Sequence, residues 1–118
     1  MMKPLVAAGA INAALAVAAG AFGAHGLRGR LEPRALEIFE TGARYHMYHA
    51  LAMILAALVA TNGARTAGWI FQGGIVLFSG SLYALALTDV KLLGAITPIG
   101  GLCFLAAWVL LAVAAARG

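Results

Sequence analysis

The sequence predicts an all-α membrane protein, a compact four-transmembrane-helix bundle with an amphipathic interfacial segment between its first two helices. Three observations carry this prediction. Of 118 residues, 64% are hydrophobic and only 10% charged, against about a quarter charged in ordinary soluble domains. The apolar residues gather into four stretches, about 4–26, 42–61, 67–88 and 93–116, each near the roughly 20 residues a helix needs to cross about 30 Å of hydrocarbon. Within each stretch they run continuously instead of alternating, which argues against barrel strands, and an open sheet edge has no stable place in lipid. The whole chain, 1–118, is expected to be one domain.

The first stretch follows Lys3 and ends near Ala21-Phe22-Gly23-Ala24, small residues that would suit a signal peptidase. From Pro4 to Ala24 it is 21 residues long, beyond the roughly 7–15 of a secretory apolar core, so it is taken as a membrane helix. Gly9, Ala13, Ala16, Gly20 and Ala24 recur every three or four residues, a ridge that lets another backbone approach and predicts an interior or dimer-facing helix. The connection that follows carries Arg28, Arg30, Glu32, Arg34, Glu37 and Glu40 among Leu31, Leu36, Ile38 and Phe39. Pro33 fits a first helical turn, and the segment 31–41 presents one apolar side that can lie along the headgroups. Glu40 precedes Arg44 by four residues, the favourable order for a helical ion pair.

The second stretch has a polar mouth. Ala50 to Ala60 supplies only about half of a span, so Arg44-Tyr45-His46-Met47-Tyr48-His49 must lie partly within the membrane, where ionisable groups are costly. The third stretch shows a less uniform ridge of Gly73, Val76, Gly80, Ala84 and Thr88. Its connections, Thr61 to Thr66 before and Asp89 to Lys91 after, are short enough to make neighbouring helices antiparallel. The fourth opens on Gly94 to Gly101, where Thr97, Pro98 and paired glycines predict a kinked or broken start that exposes carbonyls. Cys103 stands alone, so no intrachain disulfide or cysteine metal site can form.

Charge sets topology and excludes a function class. The formal net charge is +4, but the basic residues are scattered over turns and ends with no basic stripe, so no nucleic-acid partner is expected. The first and third connections, with Arg44, hold Arg28, Arg30, Arg34, Arg44 and Lys91, whereas Lys3, Arg65 and Arg117 belong to the other side. The first group should face the cytoplasm, leaving both termini outside a bacterial inner membrane.

Antiparallel crossing brings His25, Glu40, Arg44, Tyr45, His46, His49, Tyr83, Thr88, Asp89 and Thr97 to one side of the bundle, with Asn12 and Gln72 among the few polar residues of the other. His46 and His49 share a helix face and could ligate a metal with His25 or Glu40, but no HExxH or Glu-x-x-His pair is present. A haem between His25 and a helix-two histidine is geometrically conceivable, though nothing fixes the rings opposite each other. The plainer reading is structural: tyrosines in an interfacial belt, Arg44 reaching phosphate, histidines bonding neighbouring helices. Histidine also suits proton relay, which needs polar groups at several depths. Ser79, Ser81 and Tyr83 could line a crevice, or the serines could bond their own backbone. No nucleophile with base and orienting acid occurs, nor any phosphate-binding glycine loop, so neither an enzyme nor a cofactor is expected.

Gly20 to Leu27, Gly42 to Leu51, Ser79 to Tyr83 and Leu93 to Gly101 together resemble the YgdD-type small integral membrane proteins, domain of unknown function 423, a bacterial family with animal relatives. The resemblance covers nearly the whole chain and implies a four-helix membrane protein without an established activity. His25, Tyr45, His49, Ser79, Ser81, Tyr83, Thr97 and Pro98 fall on its signature stretches, and it implies that glutamine also occurs at position 46, which weakens a metal reading built on His46. The expected function is binding of a lipid, small ligand or partner subunit at the polar layer. A small oligomeric transporter is the alternative, and a metal enzyme using His25, His46 and His49 the third. Membrane lipids, a second copy of the chain or another membrane protein are the expected partners.

Overall fold

A computed structural model describes residues 2–118. Four long helices account for most of them: α1 Lys3–Ala21, α2 Pro33–Val59, α3 Asn62–Thr88 and α4 Leu93–Arg117. Neighbours run antiparallel, as the pairing of residues across each seam shows. Asn12 faces His46 and Gly23 faces Phe39 between α1 and α2; Phe71 faces Trp108 and Ser81 faces Thr97 between α3 and α4. Helices α1, α3 and α4 are long and apolar enough to cross a membrane. Arg44, His46 and His49 make α2 less apolar than its neighbours.

Each end has a local cause. Residues Phe22–Gly26 continue α1 as a π-helical turn, closed by the Leu27 N–H donating to the Phe22 carbonyl at 3.0 Å. The glycines of this motif make room for aromatic rings: a Cβ on Gly26 would meet Phe22 at 2.7 Å, and one on Gly23 would meet Phe39 at 3.1 Å. Gly29, at φ +84°, makes the turn that follows, a conformation only glycine adopts without strain. Thr61 caps α3 by accepting from the Ala64 N–H at 3.1 Å.

The interfacial segment is not a separate element. Residues 33–41 form the first turns of one unbroken α2 beginning at Pro33, because the apolar side of Leu36, Ile38 and Phe39 packs against Leu27, Ala86 and Tyr83. The expected Glu40–Arg44 ion pair is also absent; among the described residues the ion pairs are Arg34–Glu37 and Lys91–Asp89, both exposed. Nor is α4 broken: Pro98 sits inside a continuous helix, deleting only the bond its missing N–H would give the Gly94 carbonyl.

The helices pack in chain order, α1 on α2, α2 on α3, α3 on α4, and α1 does not touch α4. The result is a four-helix assembly of 48 × 26 × 18 Å, with smaller contacts of α2 with α4 and of α1 with α3 across the row. Its main core lies toward the α2–α3 turn and is built from Leu5, Met53, Phe71, Ile75, Phe104 and Leu111 among buried alanines. A smaller core of Leu27, Phe39 and Ala86 closes the other end. Close approach depends on Gly9, Gly68, Gly74 and Gly100, all facing a neighbour. The ridge predicted on the third helix points outward, with Gly73, Val76, Gly80 and Thr88 exposed.

Candidate functional site

Between the two cores lies a ladder of polar side chains that links all four helices. His46, on α2, is 6% exposed and uses both ring nitrogens. Its Nε2 lies 3.0 Å from Asn12 Oδ1 on α1, and its Nδ1 lies 2.9 Å from the Tyr83 hydroxyl on α3. The Asn12 amide nitrogen donates to the Ala8 carbonyl and to Gln72 Oε1, both at 2.8 Å. Because that amide oxygen only accepts, His46 must donate through Nε2, and the Tyr83 hydroxyl donates to its Nδ1 in the neutral ring. The chain therefore runs Tyr83 to His46 to Asn12 to Gln72 with every donor pointing the same way. It extends along roughly 16 Å of α3 at 1.5 Å per residue.

His49, one turn on, faces the other seam. Its Nδ1–H donates to the Tyr45 carbonyl at 2.7 Å, and Nε2 accepts from the Trp108 indole at 3.1 Å. Indole is a donor only, so the two bonds specify the neutral Nδ1–H tautomer. The ring also stacks on Phe104 with centroids 3.5 Å apart and planes within 1°. Ser79 donates to the Gly42 carbonyl at 2.7 Å, tying α3 to α2 where Gly42 leaves space beside Tyr83. Ser81 shares a 2.6 Å bond with Thr97, tying α3 to α4, and also reaches the Phe78 carbonyl at 2.9 Å.

Of the residues expected to converge, the ladder takes His46, His49, Ser79, Ser81, Tyr83 and Thr97. The remaining six stand apart, Thr88 and Asp89 among them, exposed where α3 ends. His25 and Arg44 are exposed, Tyr45 is 37% exposed with its ring against Phe78, and Glu40 is half-buried near Gly23. His25 does not meet His49: its turn packs beside Phe39, ten residues before His49 on α2, and it is exposed while His49 faces α4. Asn12 and Gln72 belong to the ladder, although depth counting assigned them to the opposite side. The register corrects this: Asn12 stands level with His46, not at the far end of the bundle. As rare amides inside apolar spans they carried a signal, since an intramembrane polar group needs a partner. Trp108 had no such signal.

Among the described residues, every buried side-chain nitrogen and oxygen has a partner, and no three His, Cys, Asp or Glu side chains converge as a metal-binding group. Neither serine faces a base. The ladder's bonds join α1 to α2, α2 to α3, α3 to α4 and α2 to α4.

A family model described as "Protein of unknown function (DUF423)" matches residues 19–101. The chain belongs to the DUF423 family. The matched region contains His25, His46, His49, Gln72, Ser79, Ser81, Tyr83 and Thr97, while Asn12 and Trp108 lie outside it. The chain is 50% identical over 121 residues to the "UPF0382 membrane protein YwdK" of Bacillus subtilis, covering 98% of each chain. It is 48% identical to the "UPF0382 membrane protein SERP0230" of Staphylococcus epidermidis, covering 96% of this chain and 95% of that one. No solved structure matches. These relatives make this DUF423 chain a membrane protein and agree with the family indicated by its four motifs.

Proposed function

We propose that the chain is a multi-pass protein of the bacterial inner membrane in which all four helices cross the bilayer, both termini lie outside, and the activity is binding rather than catalysis. Support for the fourth crossing comes from α2 itself, whose His46 and His49 are covered by α1, α3 and α4 while Leu51, Leu55 and Leu58 face outward. The carrying observation for binding is the division of the polar residues. The interior ones are bonded to one another or to backbone carbonyls, whereas His25, Glu40, Arg44 and Tyr45 keep uncommitted side chains toward one end. That end takes the lipid headgroup, small ligand or partner subunit. Native mass spectrometry of protein purified in mild detergent should find an adduct or partner that is lost in Glu40→Gln/Arg44→Gln. A ligand-free, partner-free wild type would overturn the reading.

The one-way chain from Tyr83 to Gln72 favours a second reading, proton-linked transport by an oligomer. His46→Gln distinguishes it, because glutamine keeps a donor and an acceptor but cannot titrate. Proteoliposome proton flux that survives this change removes that route.

A further inference from the structure

The two ends of the molecule differ in charge. Glu32, Glu37, Glu40 and Asp89, all the acids of the sequence, lie at the end where α2 begins and α3 finishes. The opposite end, where α1 begins and α2 turns into α3, has basic side chains and no acidic one. There a cavity of about 620 Å³ is lined by Met2, Lys3, Pro4, Leu5, Ala60, Arg65 and Trp69. Neither Lys3 nor Arg65 has an ion-pair or side-chain hydrogen-bond partner among the described residues. Elsewhere on the surface the cavity beside Arg30, Arg34 and Lys91 is also lined by Glu32 and Asp89, with Lys91 already paired to Asp89 at 2.7 Å.

We infer that the Lys3–Arg65 cavity binds an anionic phospholipid, its phosphate between the two cations. The composition of the lining fits that occupant from headgroup to glycerol. Two unopposed cations attract the phosphate, the exposed Trp69 ring is of the type that settles at headgroup level, and Met2, Pro4 and Ala60 offer the apolar floor on which acyl chains begin. A soluble anion would use the cations but gain nothing from that floor. The inference stands apart from the proposed binding end, which is on the other side of the bundle.

The test uses the full chain in mixed micelles containing phosphatidylglycerol and phosphatidylcholine, with bound lipid read by native mass spectrometry. Wild type should retain phosphatidylglycerol roughly 5- to 30-fold over phosphatidylcholine, the preference two cations near a membrane surface give. Lys3→Gln/Arg65→Gln should lose that preference, whereas Lys3→Arg/Arg65→Lys and Arg30→Gln/Lys91→Gln should keep it. Both cations are exposed, so these variants leave the core intact. Equal retention of the two lipids by wild type, or full preference in Lys3→Gln/Arg65→Gln, overturns the inference. A change in Trp69 fluorescence on adding inorganic phosphate alone, equal to that with phosphatidylglycerol, also overturns it by making this a free-anion site. Adducts lost through Glu40 and Arg44 alone would sink this inference and leave the proposed function standing.

Discussion

At the scale of single residues, the two histidines that looked like one site are two separate locks. His46 joins α1 to α3 through Asn12 and Tyr83, and His49 joins α2 to α4 through Trp108 and Phe104. His46→Leu leaves Asn12 Oδ1 and the Tyr83 hydroxyl without their partner and should cost about 1–2 kcal/mol, the upper range for interhelical bonds in membranes. His46→Gln restores one donor and one acceptor, so it should cost less than about 1 kcal/mol. Thermal or denaturant unfolding in detergent separates the two, and equal losses would remove the hydrogen-bond account. Trp108→Phe keeps an aromatic ring beside Phe71 but strips the donor from His49 Nε2. A loss of about 1 kcal/mol is expected in the same assay.

At the scale of helices, glycine has opposite meanings at different positions. A Cβ on Gly100 would run into the backbone of Phe78 and Leu77, with no flexible side chain to yield, so α3 and α4 would have to separate. Gly100→Ala should therefore destabilise by about 1–3 kcal/mol, the usual cost of overpacking. Gly73 and Gly80 have nothing within 4 Å, and alanine there should stabilise α3 by about 0.5–1 kcal/mol each, since glycine is a poor interior helix residue. Destabilisation by Gly73→Ala in the detergent-solubilised protein would mean that this outward ridge is itself a packing surface. Ala60, at φ 62°, ends α2 in the left-handed region with its N–H bonded to the Ala56 carbonyl. Ala60→Gly should raise stability by roughly 0.5–1 kcal/mol by removing the Cβ penalty.

At the scale of the molecule, the packing order makes α1 the least secured helix. It leans on α2, reaches α3 through Leu5 against Gly68 and Asn12 to Gln72, and never meets α4. Native-state hydrogen exchange in detergent should find the α1 amides opening at lower free energy than those of α3, which is packed on both sides. Asn12→Leu should widen that gap, and uniform exchange across all four helices would contradict the sequential packing. Topology is tested at the same scale: reporters fused after Gly118 and in the Ala60–Thr61 turn should fall on one side of the membrane, and those at Gly29 and Val90 on the other. A cytoplasmic C-terminal signal would reverse the orientation inferred from the basic residues.

The sequence by itself determined the helical membrane class, the four apolar segments and the antiparallel order, because hydrocarbon admits continuous apolar helices and short turns force neighbours to reverse. It also marked His46, His49, Ser79, Ser81, Tyr83 and Thr97 as residues needing partners, since polar groups at that depth are expensive to leave alone. Which partners they found was decided only by tertiary structure. Asn12 met His46 because the α1–α2 register set their height, and Trp108 met His49 because α4 packs on that seam. His25, inside the π turn Phe22–Gly26, was left exposed at the end of the bundle. Composition fixes what must be buried or bonded, but the angle at which a side chain leaves a helix and the register of two packed helices belong to the assembled structure.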